Sequence, residues 1–397
     1  MNNKKINALT LSGLIIGPIL GSGVILLPPL LYNRVGNFSL IIWFIILTLG
    51  FTFALIFGKL ASKFPGEAGV SLATKEILGR KYQILTSFYL IFAVFFGPVA
   101  VLLIAAKFLQ EFFLNIPLEL LGFFVYIITY MLLLIKINFL GKLMLIVTSS
   151  ITIIFFLSSL NILFTSNQLS LNIPNIPIKE VGYSFILVFW AIVGWEVIGN
   201  YSNEVEKPKT LTKAIIFSAI IVSLIYLLLA LAICFGDFPK DQDFKLVMLI
   251  KPLFGDISNI LIATISVTLC VGTLILFVGG VARLIKSLQI SKFTTKISKN
   301  NVPIGALNFL SIVYIITLFL VYFDYLSLDN LVAFADGFFI ANAIVGLVTA
   351  IVLFENGILR FFAIVLSFIF FTILLFSNIY ILAIIMVLFL FTYFKKG

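Results

Sequence analysis

The sequence predicts an all-α integral membrane protein with about twelve transmembrane helices. Of its 397 residues, 62% are hydrophobic and only 11% are charged, whereas an ordinary soluble domain has roughly 25% charged residues. A soluble protein of this size could not bury so much apolar surface. Because one span with its connection takes roughly 30 residues, the chain has room for roughly 12 to 13 spans and for no large soluble domain.

Twelve apolar stretches mark the predicted helices and follow one another along the whole chain. They cover residues 8–32, 39–62, 83–106, 119–137, 143–164, 181–201, 214–236, 257–285, 304–323, 329–353, 359–376 and 378–394. The first is long and contains glycine and proline, so it is not expected to be a cleaved signal peptide. We therefore expect a single transmembrane domain over residues 1–397.

The distribution of lysine and arginine predicts that both termini lie in the cytoplasm. In this orientation twenty of the 26 basic residues lie on the inner side of the membrane and six on the outer side. The six outer residues are Arg34, Lys107, Lys179, Lys240, Lys245 and Lys251. This segregation follows the positive-inside rule only with an even number of spans. The expected location is the inner (cytoplasmic) membrane, as a multi-pass protein in contact with the lipid bilayer.

Residue types that the chain lacks exclude several classes of function. There is no histidine, which excludes histidine-ligated haem or zinc, Ser-His hydrolases and histidine proton relays. The two cysteines form no CxxC motif, and the nucleotide-binding pattern GxxxxGK[ST] is absent. The net charge of +10 indicates topology rather than nucleic-acid binding. We expect no enzyme activity, no cofactor, no metal and no nucleic-acid partner.

The first predicted helix has an interior that does not favour a continuous helix. Residues 17–23 read GPILGSG, and so much glycine and proline costs a helix several kcal/mol. A GxxxG pair can serve helix packing alone, but packing does not explain the added Pro18, Ser22 and Gly23. Exposed backbone at this depth is tolerated only where it is buried in protein or lines a wet cavity. The sequence therefore predicts a broken helix.

The sixth predicted helix has a second unusual interior. Residues 189–196 read FWAIVGWE, which places an acid, two tryptophans and a glycine near mid-span. A packed aromatic cluster with a hydrogen-bonded Glu196 is the structural alternative. Two broken helices that lie five positions apart in the order of spans, the first and the sixth, indicate inverted repeats with a binding site at the membrane midplane.

Two such breaks together suit an α-amino acid. An unwound helix offers free N–H groups where its second half begins and free carbonyls where its first half ends. The N–H groups can bind a carboxylate and the carbonyls can bind an ammonium group.

At these residues the sequence resembles the amino acid–polyamine–organocation (APC) transporters. Residues 21–24 (GSGV) resemble the first-helix signature of that family, and FWAIVGWE with NEVEKPK at 203–209 resembles its sixth helix and cytoplasmic exit. Further matches lie at 64–70, 282–284 and 302–308, in order along the chain.

Within the family the likeness is greatest to the branch of bacterial exporters of L-methionine and branched-chain amino acids. It extends into the tenth helix at 334–340 (FADGFFI). That branch has asparagine where this chain has Asp336, so ion coupling stays open.

The resemblance implies a LeuT-type fold and transport of amino acids by alternating access. Residues 8–164 and 181–353 would form the two inverted repeats of five helices, and 359–394 would add two C-terminal helices. The resemblance also implies the substrate-binding residues, which are Ile19, Gly21, Ser22, Gly23, Trp190, Ala191, Val193 and Gly194.

Each of these residues has an implied role. N–H groups of Ser22 and Gly23 would bind the substrate carboxylate. Carbonyls of Ile19, Trp190 and Val193 would bind its ammonium, and Trp190 would also close the pocket as a gate. No acid other than Glu196 lies beside the ammonium sites in the sequence. We therefore expect neutral, mainly apolar substrates such as methionine, leucine, isoleucine and valine.

Only two acids, Glu196 and Asp336, lie well inside predicted spans, and Glu196 is expected on the helical half that follows the second break. Buried charges are expensive in a membrane, so such acids are functional candidates, although each could be held by a structural hydrogen bond. Proton coupling and substrate exchange both stay open. Sodium is the rival ion and would use hydroxyls of the eighth helix, namely Ser266, Thr268 and Thr273.

Other properties are also left open by the sequence. Import and export are both compatible with it, as are a monomer and a homodimer. The alternative functions are an amino acid sensor and a proton-translocating membrane subunit, neither of which would transport amino acids.

Overall fold

The computed structural model describes residues 5–166, 173–239 and 242–394. In this part of the chain it contains fourteen α-helices. They are α1 (Ala8–Val35), α2 (Ser39–Lys63), α3 (Val70–Leu78), α4 (Arg80–Gln110), α5 (Leu118–Leu133), α6 (Ile137–Thr165), α7 (Ile178–Val188), α8 (Pro208–Phe235), α9 (Leu246–Phe254), α10 (Ser258–Ser287), α11 (Ile304–Tyr322), α12 (Leu328–Leu353), α13 (Ile358–Leu375) and α14 (Ile379–Phe394).

Eight helical segments among the described residues are long and apolar enough to cross a membrane. One of them, Ala8–Lys63, contains both α1 and α2, and another, Leu246–Ser287, contains α9 and α10. Helices α5 and α14 are apolar but have only 16 residues each. The predicted all-helical membrane class is confirmed, whereas the count of twelve spans and the two five-helix repeats stay predictions. Of the basic residues that set the predicted orientation, Lys4, Lys240, Lys395 and Lys396 lie outside the described residues.

Two short helices lie in connections where the sequence predicted none. Helix α3 lies between Gly69 and Gly79, both of which have positive φ angles, 53° and 99°. Helix α9 begins after Lys245 and ends just before Gly255, whose φ is 54°. Glycine adopts this region without steric cost, so it sets the ends of both helices.

Helix α1 lies at the centre of the molecule and packs against α6, α8 and α10. Most of its residues are buried, and small residues let its neighbours come close. A Cβ atom on Gly17 would lie 2.5 Å from Thr148 Oγ1 of α6, so this glycine serves close helix packing. Helix α4 packs against α10 and α12 on the other side of the centre. These helices leave a space in the middle of the bundle, where the breaks in α1 and in the element after α7 meet.

Candidate functional site

Helix α1 is interrupted at one residue, Gly21. Its φ of 45° and ψ of −148° are not helical, although residues on both sides are. Only glycine adopts such a backbone without a steric penalty. A Cβ atom at this position would also lie 2.5 Å from Thr273 Oγ1 of α10. The predicted break in the first helix is confirmed, and both the backbone angle and the close neighbour require glycine there.

Hydroxyl groups from neighbouring helices partner two carbonyls that precede this break. Thr273 Oγ1 lies 3.0 Å from the Pro18 carbonyl oxygen and 3.0 Å from that of Leu269, its own helical acceptor. Tyr226 Oη of α8 donates to the carbonyl of Leu20 at 3.3 Å. A buried carbonyl without a partner is costly, so these two side chains stabilise the interrupted helix from outside.

The second break is longer than the first. Helix α7 ends at Val188, a 3-10 turn covers Phe189–Ile192, and helical structure resumes only at Ile198–Glu204. Between them Val193 is extended, with ψ of 142°, and Gly194 has φ of 119°. The predicted interruption is confirmed here too.

Glu196 lies inside this break. The sequence placed it on the helical half that follows, and that expectation is wrong because helical structure begins two residues later. The side chain is 2% exposed. Its Oε2 accepts a hydrogen bond of 3.0 Å from the N–H of Gly194. The acid therefore partners the backbone of its own break.

The two breaks meet at a cavity between α1, α4, α10, α12 and the 3-10 turn after α7. Its lining residues are Pro18, Ile19, Leu20, Gly21, Gly23, Gly97, Pro98, Val101, Trp190, Val193, Thr273, Leu274, Phe277 and Phe339. The space between their atoms is about 450 Å³, which includes space open to solvent. Only about 30 Å³ of it is open to the centre of a water molecule, so the cavity is narrow.

The lining is apolar, and most of its polar groups belong to the backbone. Among the side chains of the fourteen lining residues only the hydroxyl of Thr273 and the indole N–H of Trp190 can form hydrogen bonds, and none is charged. An apolar pocket with a few polar groups that converge is typical of a small-molecule site.

Five of the eight predicted substrate-binding residues line this cavity, namely Ile19, Gly21, Gly23, Trp190 and Val193. The other three, Ser22, Ala191 and Gly194, are their immediate chain neighbours and lie outside the lining. Gly194 is nevertheless close to the opposite wall. A Cβ atom on it would lie 2.6 Å from Ile19 Cδ1 and 3.1 Å from Phe277 Cζ. The structure thus brings the two breaks together, while the role of each residue stays a prediction.

Several residues at the site were missed by sequence reasoning. Phe277 and Phe339 lie on opposite helices and form an edge-to-face pair with ring centroids 5.3 Å apart. Val101 and Leu274 complete the apolar wall. Tyr226 lies behind the first break and was not considered. Apolar residues occur all round these helices, so the sequence had no signal for the face that lines the cavity.

The second candidate acid, Asp336, lies in α12 one helical turn before Phe339. It is outside the cavity lining. Its Oδ1 atom is buried and has no hydrogen-bond partner among the described residues. The neighbouring Phe334 stacks on Phe96 of α4, with ring centroids 5.0 Å apart. The two candidate acids therefore differ, because Glu196 has a backbone partner and Asp336 has an unpartnered oxygen.

The three hydroxyls proposed for sodium binding do not form one cluster with α1. Ser266 donates to the carbonyl of Ile262 and Thr268 to that of Thr264, both within α10. Only Thr273 reaches a backbone carbonyl of α1.

The half-helix that follows the second break is tied firmly to α10. Tyr201 Oη lies 2.9 Å from the carbonyl oxygens of both Ile275 and Leu276. Glu204 Oε1 forms an ion pair of 3.1 Å with Arg283 Nη2. The carbonyl of Glu204 also accepts a hydrogen bond of 2.9 Å from the N–H of Ile6, ahead of α1. This end of the site is closely packed.

The sequence is similar to those of known membrane transporters. A family profile described as amino acid permease matches residues 6–394. The chain is 23% identical over 350 residues to the L-methionine/branched-chain amino acid exporter YjeH of Escherichia coli (strain K12), and the alignment covers 83% of this chain and 81% of that protein.

Solved structures show a similar fold. The manganese transporter of Eremococcus coleocola, in complex with an aromatic bis-isothiourea substituted compound, has a TM-score of 0.66 at 14% identity and covers 98% of this chain and 94% of its own. Two mutants of that transporter have TM-scores of 0.65 at 13% identity, with the same coverage. At such identity the likeness shows the fold alone. The profile match over nearly the whole chain shows that this protein is a membrane transporter of the amino acid permease family, within the APC transporters.

Proposed function

We propose that the protein moves neutral, mainly apolar amino acids across the cytoplasmic membrane by alternating access. The observation that carries this proposal is the narrow apolar cavity where two helix breaks meet. Backbone groups of the breaks suit the charged ends of an amino acid, and the apolar walls suit its side chain. Methionine, leucine, isoleucine and valine are the proposed substrates, in keeping with the relative from E. coli, which is an exporter of L-methionine and branched-chain amino acids.

In the proposed complex each charged end of the substrate faces one side of a break. The carboxylate binds N–H groups of Ser22 and Gly23 just after the interruption of α1, where the helix dipole is positive. The ammonium binds carbonyls of Ile19, Trp190 and Val193. The narrow cavity has to widen to admit a substrate, and Trp190, whose indole lines it, is the proposed gate.

Three further residues are proposed to support this complex. Gly21 and Gly194 allow the backbone to approach the substrate closely, since both have φ angles that favour glycine. Ala191 follows the gate residue and is 2% exposed. Its small side chain lets the 3-10 turn pack against its neighbours.

Selectivity follows from the absence of charge in the cavity lining. A guanidinium, a second ammonium or a second carboxylate would be buried without a partner there, which is costly. The same lining disfavours transport of manganese, the cargo named for the similar structures, because hard divalent cations are bound by carboxylate and other oxygen ligands.

The proposed architecture has twelve spans with both termini in the cytoplasm. Residues 8–164 and 181–353 form two inverted repeats, and 359–394 adds two helices. Each break then lies in the first helix of its repeat, which is the arrangement expected for a site at the membrane midplane.

Transport is proposed to be coupled to protons or to proceed by exchange, with export as one of its directions. Glu196 and Asp336 are the candidate proton sites, since both are acids in apolar surroundings. Sodium is the alternative ion, and Thr273 beside the Pro18 carbonyl is the position where it would be sought.

Uptake and efflux of labelled leucine and methionine in proteoliposomes test the function directly. We expect transport of both, competition from isoleucine and valine, and no competition from arginine, lysine or glutamate. The same vesicles with a pH gradient, a sodium gradient or neither identify the coupling ion. Binding without any flux would instead support the alternative of an amino acid sensor.

The variant Gly23→Val tests the binding geometry. A side chain there would occupy the carboxylate position, so we expect the thermal stabilisation by leucine to disappear. A Cβ atom at Gly23 would also lie 2.7 Å from Tyr226 Oη, which makes a second variant necessary.

The double variant Gly23→Ala with Tyr226→Phe removes this hydroxyl and keeps the obstructing methyl group. Loss of stabilisation in both variants, each folded, supports the assignment. Unchanged stabilisation in a folded Gly23→Val protein would refute it.

A further inference from the structure

The connection between α10 and α11, residues 288–303, exposes apolar side chains and buries a polar one. Ile290, Phe293 and Ile297 are 63%, 42% and 54% exposed, whereas Thr294 is 7% exposed. Single exposed apolar residues are ordinary, but three of them within eight residues of one connection indicate a binding surface.

This connection has a fixed shape. The chain turns at Gln289 and Asn301, which have φ angles of 51° and 61°, a region that residues other than glycine rarely adopt. Ser298 N–H donates to the carbonyl of Val302 at 2.9 Å. The N–H of Thr294 donates to Ser291 Oγ at 3.2 Å. The apolar side chains are therefore held outward by an ordered backbone.

Two hydrogen bonds hold the connection against the ends of neighbouring helices. The N–H of Gly305, in the first turn of α11, donates to the carbonyl of Lys296 at 3.1 Å. Asn300 Nδ2 donates to the carbonyl of Leu134, the residue after α5, at 3.0 Å. Since α11 is long and apolar enough to span a membrane, its first turn lies near the membrane surface, and so does this connection.

The charge of the connection is entirely positive. It contains Lys292, Lys296 and Lys299 and no acid, and all three lysines are exposed. None of them takes part in an ion pair within the part of the chain that the structure describes. By contrast Lys286, at the end of α10, is paired with Glu67 at 2.7 Å.

We propose that residues 288–303 form an interfacial anchor for anionic phospholipids. Ile290, Phe293 and Ile297 enter the boundary between headgroups and acyl chains, and the three lysines bind anionic headgroups. Apolar insertion combined with attraction to anionic lipid is the usual basis of interfacial binding. The partner is the anionic surface of the bilayer itself, and no protein partner is needed to cover the apolar side chains.

A fluorescent label at Ile297→Cys tests this anchor in the full-length protein. The native Cys234 and Cys270 are 6% and 0% exposed, so an environment-sensitive dye is directed to the new thiol. Wild-type protein treated with the same dye measures the background labelling of the native cysteines. The protein is placed in nanodiscs of phosphatidylcholine alone or mixed with phosphatidylglycerol. Asn356→Cys, an exposed position in the connection after α12, is the matched control.

We expect the dye at residue 297 to show a blue-shifted emission and to be quenched by lipids that are brominated close to the headgroup. This blue shift should gain in size when the bilayer contains phosphatidylglycerol. The triple variant Lys292→Gln, Lys296→Gln and Lys299→Gln should lose most of this gain with phosphatidylglycerol, because the attraction to anionic headgroups is removed. High salt should weaken the gain without any substitution. The label at residue 356 should stay in water.

Two results would overturn the proposal. One is a water-like emission at residue 297 in bilayers that contain phosphatidylglycerol. The other is a shift that is equal in both bilayers and unchanged in the triple variant, provided that this variant keeps the wild-type thermal midpoint in detergent.

Discussion

The two helix breaks at the cavity expose backbone in different ways. In α1 the interruption is confined to Gly21, and the carbonyls of Pro18 and Leu20 before it are partnered by Thr273 and Tyr226 from other helices. After α7 the α-helix gives way to a 3-10 turn at Phe189–Ile192 and then to irregular structure up to Val197, and Glu196 of this segment accepts from the N–H of Gly194.

This difference indicates a division of labour between the breaks. The first has no ionisable side chain and depends on its neighbours for shape, so it is suited to binding a ligand at fixed backbone groups. The second carries an acid and Trp190, the proposed gate, in a long irregular segment, so it is suited to changes of protonation and of shape. We therefore expect changes at the first break to affect binding itself and changes at the second to affect coupling and gating.

The largest effect is expected for Gly21→Ala. The new methyl group faces both a backbone conformation that favours glycine, which costs about 1–3 kcal/mol, and an oxygen atom 2.5 Å away. Stabilisation by leucine and transport of leucine should both be lost, as measured by thermal denaturation and by flux in proteoliposomes.

Gly182→Ala in α7 is the control for Gly21→Ala. A Cβ atom at Gly182 has no neighbour within 4 Å, so this variant should behave as wild type. If Gly21→Ala kept wild-type affinity, the first break would not be the ligand site.

A loss of one transport mode is expected for Glu196→Gln. The amide oxygen of glutamine can still accept from Gly194, so the break should keep its shape while the side chain can no longer release a proton. Proton binding can drive the carrier from one state to the other only if the two states differ in their affinity for the proton. Accumulation driven by a pH gradient should fall to the level seen without a gradient, while exchange of one leucine for another persists.

Asp336→Asn is the matched comparison for the acid of the second break. If it abolishes pH-driven accumulation and Glu196→Gln does not, the proton site lies in α12, where the unpartnered Oδ1 is found. If neither variant changes accumulation, both acids are structural, and the coupling ion should be sought beside Thr273.

A moderate effect is expected for Trp190→Ala. The indole lines the cavity without being fully buried, and its removal widens the space next to Gly23, where Trp190 Cδ1 lies 3.5 Å from the position of a Cβ atom. We expect weaker binding of leucine by about tenfold, or ~1.4 kcal/mol, and less discrimination against larger amino acids. Trp190→Phe should recover most of the affinity, and equal losses in both variants would contradict a gate that acts through its ring.

The sequence predicted the membrane class, both breaks and much of the site for a physical reason. Glycine and proline next to polar residues are costly inside a membrane helix, so GPILGSG and FWAIVGWE could be recognised without a structure. Five of the predicted residues, Ile19, Gly21, Gly23, Trp190 and Val193, line the cavity.

The apolar walls could not be predicted in the same way. Phe277, Phe339 and Val101 lie in helices that are apolar on all sides, so composition does not show which face points inward. The position of Glu196 within the break was missed because helix propensity alone does not fix where a helix resumes. The contact from Tyr226 depends on tertiary packing between α1 and α8.

A small effect on affinity is expected for Thr273→Val, with a clearer effect on stability. The substitution keeps the shape of the side chain but removes the donor to the Pro18 carbonyl. A buried acceptor that loses its partner costs about 1–3 kcal/mol, which should lower the thermal midpoint in detergent. A sodium dependence of transport that disappears in this variant would show that the hydroxyl also binds an ion.

The smallest effect is expected for Tyr226→Phe. The hydrogen bond that it removes is longer, 3.3 Å between Tyr226 Oη and the Leu20 carbonyl oxygen, and the ring can stay stacked on Trp43, with centroids 4.8 Å apart. We expect a loss of stability of about 1 kcal/mol or less and leucine binding close to that of wild type. Both can be measured in one series of thermal denaturation curves with increasing leucine. A loss of leucine affinity larger than that of Trp190→Ala would contradict this order of effects. The hydrogen bond that supports the first break would then contribute more to binding than the proposed gate residue of the second break.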